Sequence, residues 1–164
     1  MNDLIKRALN TAEVPARLEP SSLSRSDGKR PDGISLMPWN QGRCLVWDVT
    51  CPDTLASSHL DRAVTGPGAG AVTTVAESRK RLKYDEIART YHFIPVAVET
   101  LGALGEDATD FLKDLGSRII STTKDQRAMD FLYQRVSVAV QRGNAACVLG
   151  TLPSSSNLDD VFYI

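Results

Sequence analysis

Two aspartates lie in apolar surroundings within the stretch GKRPDGISLMPWNQGRCLVWDVTCPDT, which covers residues 28–54. Asp32 directly follows Pro31, and Asp48 lies inside LVWDVT. Aspartate is disfavoured in strands and costly to bury, so two of them in apolar segments require an explanation. Carboxylate oxygens suit hard cations such as Mg²⁺, which can activate a water and stabilise the charge on a phosphate under attack. The pair therefore predicts metal-assisted phosphodiester chemistry.

A helix that carries lysines follows the two aspartates. At 100° per residue from Val72 to Arg89, one broad arc is apolar and consists of Val72, Val75, Ala76, Leu82 and Ile87. The opposite arc has the alternating charges of a solvated face: Glu77, Arg81, Asp85 and Arg89. Lys83 falls near the middle of the apolar arc and Lys80 at its edge. Both could simply extend their amines to water, but next to two carboxylates a lysine could neutralise charge on a phosphate or orient the attacking water.

Neighbouring strands are needed to bring the aspartates together, and the sequence predicts them. DGISLMPW and CLVWDVTC read as the two strands of a hairpin, joined by NQGR with Gly42 free to adopt a positive φ. Trp39 and Trp47 are read as core residues of these strands. A helix over Asp3 to Ala12 and a short strand over Ala16 to Pro20 precede the hairpin.

The region after the lysine helix predicts one more strand and two helices. HFIPVAVET, residues 92–100, reads as a buried strand. One amphipathic helix then carries Phe111, Leu112, Leu115 and Ile119, and another runs over about residues 125–141. A hairpin pairs its strands antiparallel, whereas a strand–helix–strand crossover pairs them parallel. The order of elements therefore predicts an α/β sandwich with a mixed sheet.

Composition excludes several classes of protein. The 164 residues suit one domain, and the net charge of -1 gives no global signature of nucleic-acid binding. No apolar run could span a membrane, and MNDLIKRALN lacks the apolar core of a signal peptide. The three cysteines form no CxxC pair, which favours a reducing compartment, nuclear or cytoplasmic. GPGAGA lacks the GK[ST] ending of a phosphate-binding loop, and residues 151–164 read as a flexible tail.

Three short motifs occur in order on strand, strand and helix: RPD at Arg30 to Asp32, DVT at Asp48 to Thr50, and KRLKY at Lys80 to Tyr84. The set resembles the PD-(D/E)xK nuclease superfamily, in which an Asp after Pro and a second acid, with a Lys two positions later, lie on neighbouring strands. Thr50 stands where that lysine would be. The restriction-enzyme-like endonuclease of site-specific non-LTR retrotransposons departs in the same way and carries its lysine in the following helix as KxxKY. The resemblance covers about residues 3–149.

The resemblance implies both a fold and an activity. The fold would be a restriction-endonuclease-like three-layer sandwich over residues 1–150, with a mixed central sheet flanked by helices. The activity would be that of a metal-dependent DNA endonuclease that nicks a chromosomal target to prime reverse transcription. Asp32 and Asp48 would hold Mg²⁺, or Mn²⁺ in its place. Lys83, favoured by its place on the apolar arc, or Lys80 would serve as the catalytic lysine. DNA would be the partner, together with a reverse transcriptase or element RNA of a parent polyprotein.

Other charged residues are weaker candidates. Four basic residues flank the proposed site and are predicted to contact phosphates, with ordinary surface charge as the alternative: Arg25, Lys29, Arg30 and Arg43. Glu19 could supply a further metal ligand, although a solvated glutamate at a strand end is the favoured reading. Glu99 is read as solvated for the same reason.

Two alternatives compete with the endonuclease. A catalytically inactive domain of the same fold, a decayed retroelement fragment, would bind DNA or another partner without cleaving it. A purely structural α/β domain would use its aspartates only to cap turns, and Asp48 would then face solvent.

Overall fold

A four-stranded mixed sheet is the centre of the fold. The computed structural model describes residues 1–23, 30–54, 56 and 70–151. The strands lie side by side in chain order: β1 (Ala16–Leu18), β2 (Gly33–Asn40), β3 (Arg43–Thr50) and β4 (His92–Ala97). β1, β2 and β3 pair antiparallel, whereas β3 and β4 pair parallel. The predicted hairpin, crossover and mixed sheet are confirmed.

Helices flank this sheet on both faces. In the described part of the chain they are α1 (Asn2–Thr11), α2 (Ala71–Lys83), α3 (Asp85–Thr90), α4 (Glu106–Thr123) and α5 (Ala128–Thr151), together with a 3₁₀ turn at Ser21–Leu23. Trp47 packs in the apolar cluster of α1, α4 and α5, whereas Val46 packs with Tyr84 and the residues of α3. Successive strand residues point to opposite faces, so the two clusters are separate layers with the sheet between them.

The hairpin turn follows the sequence closely. Asn40 and Arg43 are paired, and both residues between them have positive φ, 49° at Gln41 and 74° at Gly42. A two-residue turn with both central φ values positive matches the right-handed twist of its strands. The turn sets the pairing at its own end of the hairpin, and the register shifts twice between Asn40 and Ile34 before Gly33 pairs with Trp47 beside the aspartates.

Gly33 is required by close packing at the start of β2. Gly33 is paired with Trp47, and a Cβ at Gly33 would overlap the indole ring. The absence of a side chain thus lets the fully buried indole lie against the β2 backbone. This contact holds the chain next to Asp32 in place.

The predicted helix from Val72 to Arg89 is wrong as a single element, because it divides at Tyr84. The backbone of Tyr84 leaves helical geometry, with φ -111° and ψ 24°. Its ring is buried against Phe93, with the two ring centroids 5.0 Å apart. The break lets the phenol point into the space between α2 and the sheet.

The buried side of α2 also differs from the predicted arc. Leu82, expected inside, is 81% exposed, whereas Glu77, expected outside, is 5% exposed. Val72 is buried as predicted, but the other buried residues on this side are Thr73, Glu77 and Tyr84, with Lys80 partly buried between Glu77 and Tyr84. Their spacing of four, three and four residues is that of one helix face. The helix is therefore turned relative to the prediction, and Lys80 lies on the side that faces the sheet.

Two buried glutamates cap helices that begin at glycines. Glu77 accepts hydrogen bonds from the amides of Asp107 and Ala108 at the start of α4, at 3.3 and 3.2 Å. Glu99 accepts one at 3.3 Å from the amide of Val72 at the start of α2. Glu99 is thus buried, and its prediction as a solvated residue is wrong, because it satisfies orphan amides of a helix. Gly105 leaves the room that Glu77 occupies.

The Glu77 cap predicts a pH dependence of stability. Burial raises the pKa of the Glu77 carboxyl above its ordinary value of 4.5. The folded chain therefore holds this proton more tightly than the unfolded chain, and the resulting stability is fully present below pH 4.5 and lost as the pH rises through the folded pKa. The free energy of unfolding of wild type relative to Glu77→Gln should accordingly fall over that window, as measured by denaturant titrations at several pH values.

A matched control for this measurement is Glu106→Gln, which removes the same charge from an exposed position of α4. A difference between wild type and Glu77→Gln that stays constant with pH would contradict the assignment of the proton to Glu77.

Some of the remaining predictions on the fold concern residues that the structure describes, and others concern residues outside the described ranges. Trp39 and Trp47 are core residues, as predicted, and the three cysteines are free thiols. None of the described helices is long and apolar enough to cross a membrane. The predicted tail, apart from Thr151, and most of the GPGAGA segment lie outside the described residues.

Candidate active site

Asp48 is a buried carboxylate with two polar partners from the end of α2. Its side chain lies on the sheet face covered by α2 and α3, and the residue is 4% exposed. Oδ2 accepts a hydrogen bond from the Nζ of Lys80 within an ion pair. Oδ1 lies 3.0 Å from the hydroxyl of Tyr84. A purely structural domain was expected to have Asp48 facing solvent, and this expectation is wrong because Asp48 is buried.

The Tyr84 hydroxyl joins Asp48 to the RPD segment. It lies 3.1 Å from the carbonyl oxygen of Arg30 as well as 3.0 Å from Asp48 Oδ1. A phenol has one proton to donate, so it serves the two acceptors as alternatives or in a shared bond. Either way the phenol fixes the Arg30 backbone next to Asp48, and the fully buried ring of Pro31 follows directly.

Asp32 is held beside the backbone that follows Asp48. Its Oδ2 accepts the amide proton of Val49 at 2.7 Å, and its own amide donates to the carbonyl of Trp47 at 3.0 Å. Asp32 therefore contacts the residues on both sides of Asp48 in the chain. The sequence predicted that the two acids lie on neighbouring strands, and Asp32 immediately precedes β2 while Asp48 lies in β3.

Lys80 is the lysine that contacts the buried Asp48 carboxylate. Its Nζ reaches Asp48 Oδ2, and its side chain is 23% exposed. Lys83 ends α2, and its Nζ lies 4.5 Å from the centroid of the Tyr84 ring. The packing argument that favoured Lys83 assumed that Leu82 lies inside, and Leu82 is 81% exposed. The contact with Asp48 is thus formed by Lys80, and which of the two lysines is catalytic stays a prediction.

The predicted phosphate-binding residues do not all lie near the acids. Arg30 is exposed and forms an ion pair with Glu19, which is also exposed. Arg43 begins β3, five residues before Asp48, so at about 3.3 Å per residue it lies roughly 17 Å away. Its guanidinium reaches the carbonyl of Ala88 at 3.4 Å, and its expected place beside the site is wrong. Arg25 and Lys29 lie outside the described residues.

The residues present fit the minimal demands of Mg²⁺. Within the described parts of the chain, no group of three or more acidic, histidine or cysteine side chains could hold a metal. Mg²⁺ typically needs only one or two carboxylates, with waters and substrate phosphate oxygens completing the octahedron. Asp32 and Asp48 supply two carboxylates, on backbone segments that are joined by the Val49–Asp32 hydrogen bond. An ion bound there would compete with the Lys80 amine for Asp48 Oδ2.

Two residues near the site, Tyr84 and Arg79, are not among the site residues that the sequence predicts. Tyr84 is the last residue of the KRLKY motif, and its phenol forms a hydrogen bond with Asp48. Arg79 lines a cleft with Lys80 and Thr50 at the end of β3. The detectable signal for Tyr84 was its spacing of four from Lys80 and seven from Glu77, which places all three on one helix face.

Comparison with known proteins gives no assignment of family. No model of a protein family matches the chain, and no curated protein sequence matches it.

Proposed function

We propose that the protein is a metal-dependent DNA endonuclease that nicks a strand by phosphodiester hydrolysis, with a restriction-endonuclease-like fold. The observation that carries the proposal is the Lys80 amine on a buried Asp48 carboxylate, with Asp32 held at the next backbone amide. The resemblance in sequence stated above supports it, as do two acids at adjacent strands and a lysine from the following helix. A mixed sheet flanked by helices is compatible with that fold.

Each residue of the site has a proposed role. Asp32 and Asp48 hold Mg²⁺, or Mn²⁺, which when bound supplies charge to the phosphate and lowers the pKa of a coordinated water. The Lys80 amine, which contacts Asp48, would neutralise the negative charge that builds on the phosphate. Tyr84 holds the Asp48 carboxylate and the Arg30 backbone in fixed positions. Such preorganisation is what lets fixed charges act without reorganising during the reaction.

The biological setting is part of the same proposal. By resemblance, the nick would prime reverse transcription at a chromosomal site, with a reverse transcriptase or element RNA as partner. Such a target requires that the protein reach the nucleus, after synthesis in the cytoplasm.

A catalytically inactive DNA-binding domain is the second candidate. One observation favours it: both oxygens of Asp48 already have partners, and a buried ion pair of this kind can be purely structural. The two candidates differ in whether bound DNA is cut.

The test is conversion of supercoiled plasmid to nicked circles by the purified protein. The endonuclease is expected to nick with Mg²⁺ or Mn²⁺ and to stop when the cation is chelated. Binding of DNA without nicking under either cation would instead establish the inactive domain.

The Arg30–Glu19 ion pair predicts opposite effects of two substitutions on DNA binding. Arg30→Gln removes one phosphate contact, so the slope of log affinity against log salt should decrease by about 0.9. Glu19→Gln frees the guanidinium from its carboxylate partner and should tighten binding. Both are measured by titrating duplex DNA at several salt concentrations with the cation chelated. Arg142→Gln on α5 is the control for loss of an exposed arginine, and equal slopes for Arg30→Gln and wild type would refute the contact.

A further inference from the structure

A cleft opens between the C-terminal end of β3 and one side of α2, from Val72 to Lys80. Its volume is about 250 Å³. Its walls are mainly apolar, and its lining consists of Thr50, Pro52, Val72, Val75, Ala76, Arg79 and Lys80.

The cleft is continuous with the proposed catalytic residues. Lys80 lines the cleft and also contacts Asp48. Thr50 lies two residues beyond Asp48 in β3, so the two side chains point to the same face of the sheet. A group seated in the cleft is therefore adjacent to any phosphate that meets Asp48 and Lys80.

The two cations of the cleft differ in their partners. Lys80 is paired with Asp48, whereas Arg79 is exposed and forms no ion pair with any residue in the described segments. An arginine with its fork open to solvent at the rim of an apolar cleft suits a ligand with an apolar body and an anionic attachment. A nucleotide has that composition.

The size of the cleft limits what can enter. A volume of about 250 Å³ lies just under the range of about 300–1,000 Å³ typical of small-molecule sites. One base can be accommodated, but a base pair with its two backbones cannot. A base that enters must therefore leave its stack, as bases do in enzymes that act on extruded nucleotides.

We propose that this cleft binds one unpaired nucleotide next to the cleaved phosphodiester, with the base against Val72, Val75 and Pro52 and its phosphate on Arg79. The inference rests on the proposed function and narrows its substrate to DNA that is single-stranded or locally melted at the nick. Thr50 is well placed to contact the sugar or base edge, in the position where the resembling family has its strand lysine.

The test separates the base from the backbone by using two probes of equal length. One is oligodeoxythymidylate, and the other is a fully abasic oligomer, which keeps every phosphate and has no base. Affinities are measured with the cation chelated, so that cleavage plays no part. Wild type is expected to bind the thymidylate roughly tenfold more tightly, the effect of burying one base-sized apolar face.

Substitutions in the cleft test whether the preference for the thymidylate over the abasic oligomer arises there. Val75→Phe fills the cleft and should bring the ratio of the two affinities close to one, while Ala76→Leu fills it from a neighbouring position if Val75→Phe disturbs folding. Arg79→Ala should weaken both probes equally and reduce the salt slope by about 0.7. The control Arg142→Ala, on α5, should preserve the ratio. Circular dichroism establishes that each variant is folded.

The outcomes distinguish this inference from the proposed function. Metal-dependent nicking with an unchanged ratio in both filling variants overturns the nucleotide cleft and leaves the endonuclease standing. A ratio that collapses in the filling variants, without nicking by wild type, supports the cleft and overturns the endonuclease. Failure of wild type to prefer the thymidylate overturns the cleft directly.

Discussion

Asp48→Asn is expected to abolish metal-dependent nicking, with a loss of at least about a thousandfold. A bound metal ion contributes several kcal/mol to the transition state, and each 1.36 kcal/mol corresponds to a factor of about ten in rate. The amide keeps an acceptor for the Tyr84 phenol but loses the charge that would hold the cation. The measurement is the rate of nicking at saturating Mg²⁺, together with thermal unfolding to establish that the variant is folded.

Asp53→Asn is the matched control for Asp48→Asn. Asp53 is an exposed acid a few residues beyond the end of the same strand, and it also follows a proline. Its removal should leave the nicking rate within about twofold, because exposed charges have small effects. Nicking by Asp48→Asn at the wild-type rate would exclude Asp48 from the metal site.

Lys80→Ala is expected to reduce the single-turnover nicking rate at saturating DNA by at least about a hundredfold. Loss of a group that stabilises transition-state charge typically costs about 3 kcal/mol or more. Removal of Lys80 also leaves Asp48 as a buried charge without its cationic partner, so the variant should be less stable in the absence of metal. Added Mg²⁺ should restore part of that stability by binding the same carboxylate.

Lys83→Ala separates the two lysines of the KRLKY motif. Its Nζ lies over the Tyr84 ring, so its removal should have a smaller effect on the rate and act mainly through Tyr84 or through DNA affinity. A full nicking rate for Lys80→Ala, together with an inactive Lys83→Ala, would identify Lys83 as the catalytic lysine. Full rates for both would mean that α2 carries no catalytic lysine.

The sheet could be predicted from sequence because its signals are local. Alternation of apolar and polar residues, a Gly at the position that needs positive φ, and a Pro-Asp-Gly segment all act within a few residues. Gly42 and the hairpin strands illustrate this. The burial of Asp48 agrees with that of Val46, because side chains two residues apart in a strand lie on the same face of the sheet and Val46 is fully buried.

The orientation of α2 could not be predicted, because distant partners determine it. Thr73 and Glu77 look like solvated residues in sequence, yet both are buried, and Glu77 is buried because α4 begins beside it and needs acceptors for its amides. Leu82 looks like a core residue in sequence because it is apolar, yet it is exposed. A periodicity argument assigns burial by hydrophobicity, so polar residues with tertiary partners displace the helix from its predicted orientation.

The placement of Arg43 shows a related limit. In sequence it is only five residues from Asp48, but a strand extends by about 3.3 Å per residue, and this separates the two along β3. Proximity in the chain predicts proximity in space within a turn of helix and not along a strand.

The glutamates that cap α2 and α4 have a consequence for the electrostatics of nucleic-acid binding. The amino end of a helix carries a partial positive charge and is a common site for phosphate groups. In this chain carboxylates already occupy first-turn amides at both helices, Glu99 at α2 and Glu77 at α4. These two carboxylates thus largely neutralise the positive charge at the amino ends of the two helices. Attraction of DNA to this side of the molecule would depend on long, solvated side chains such as Arg79, and counterions screen such charges effectively.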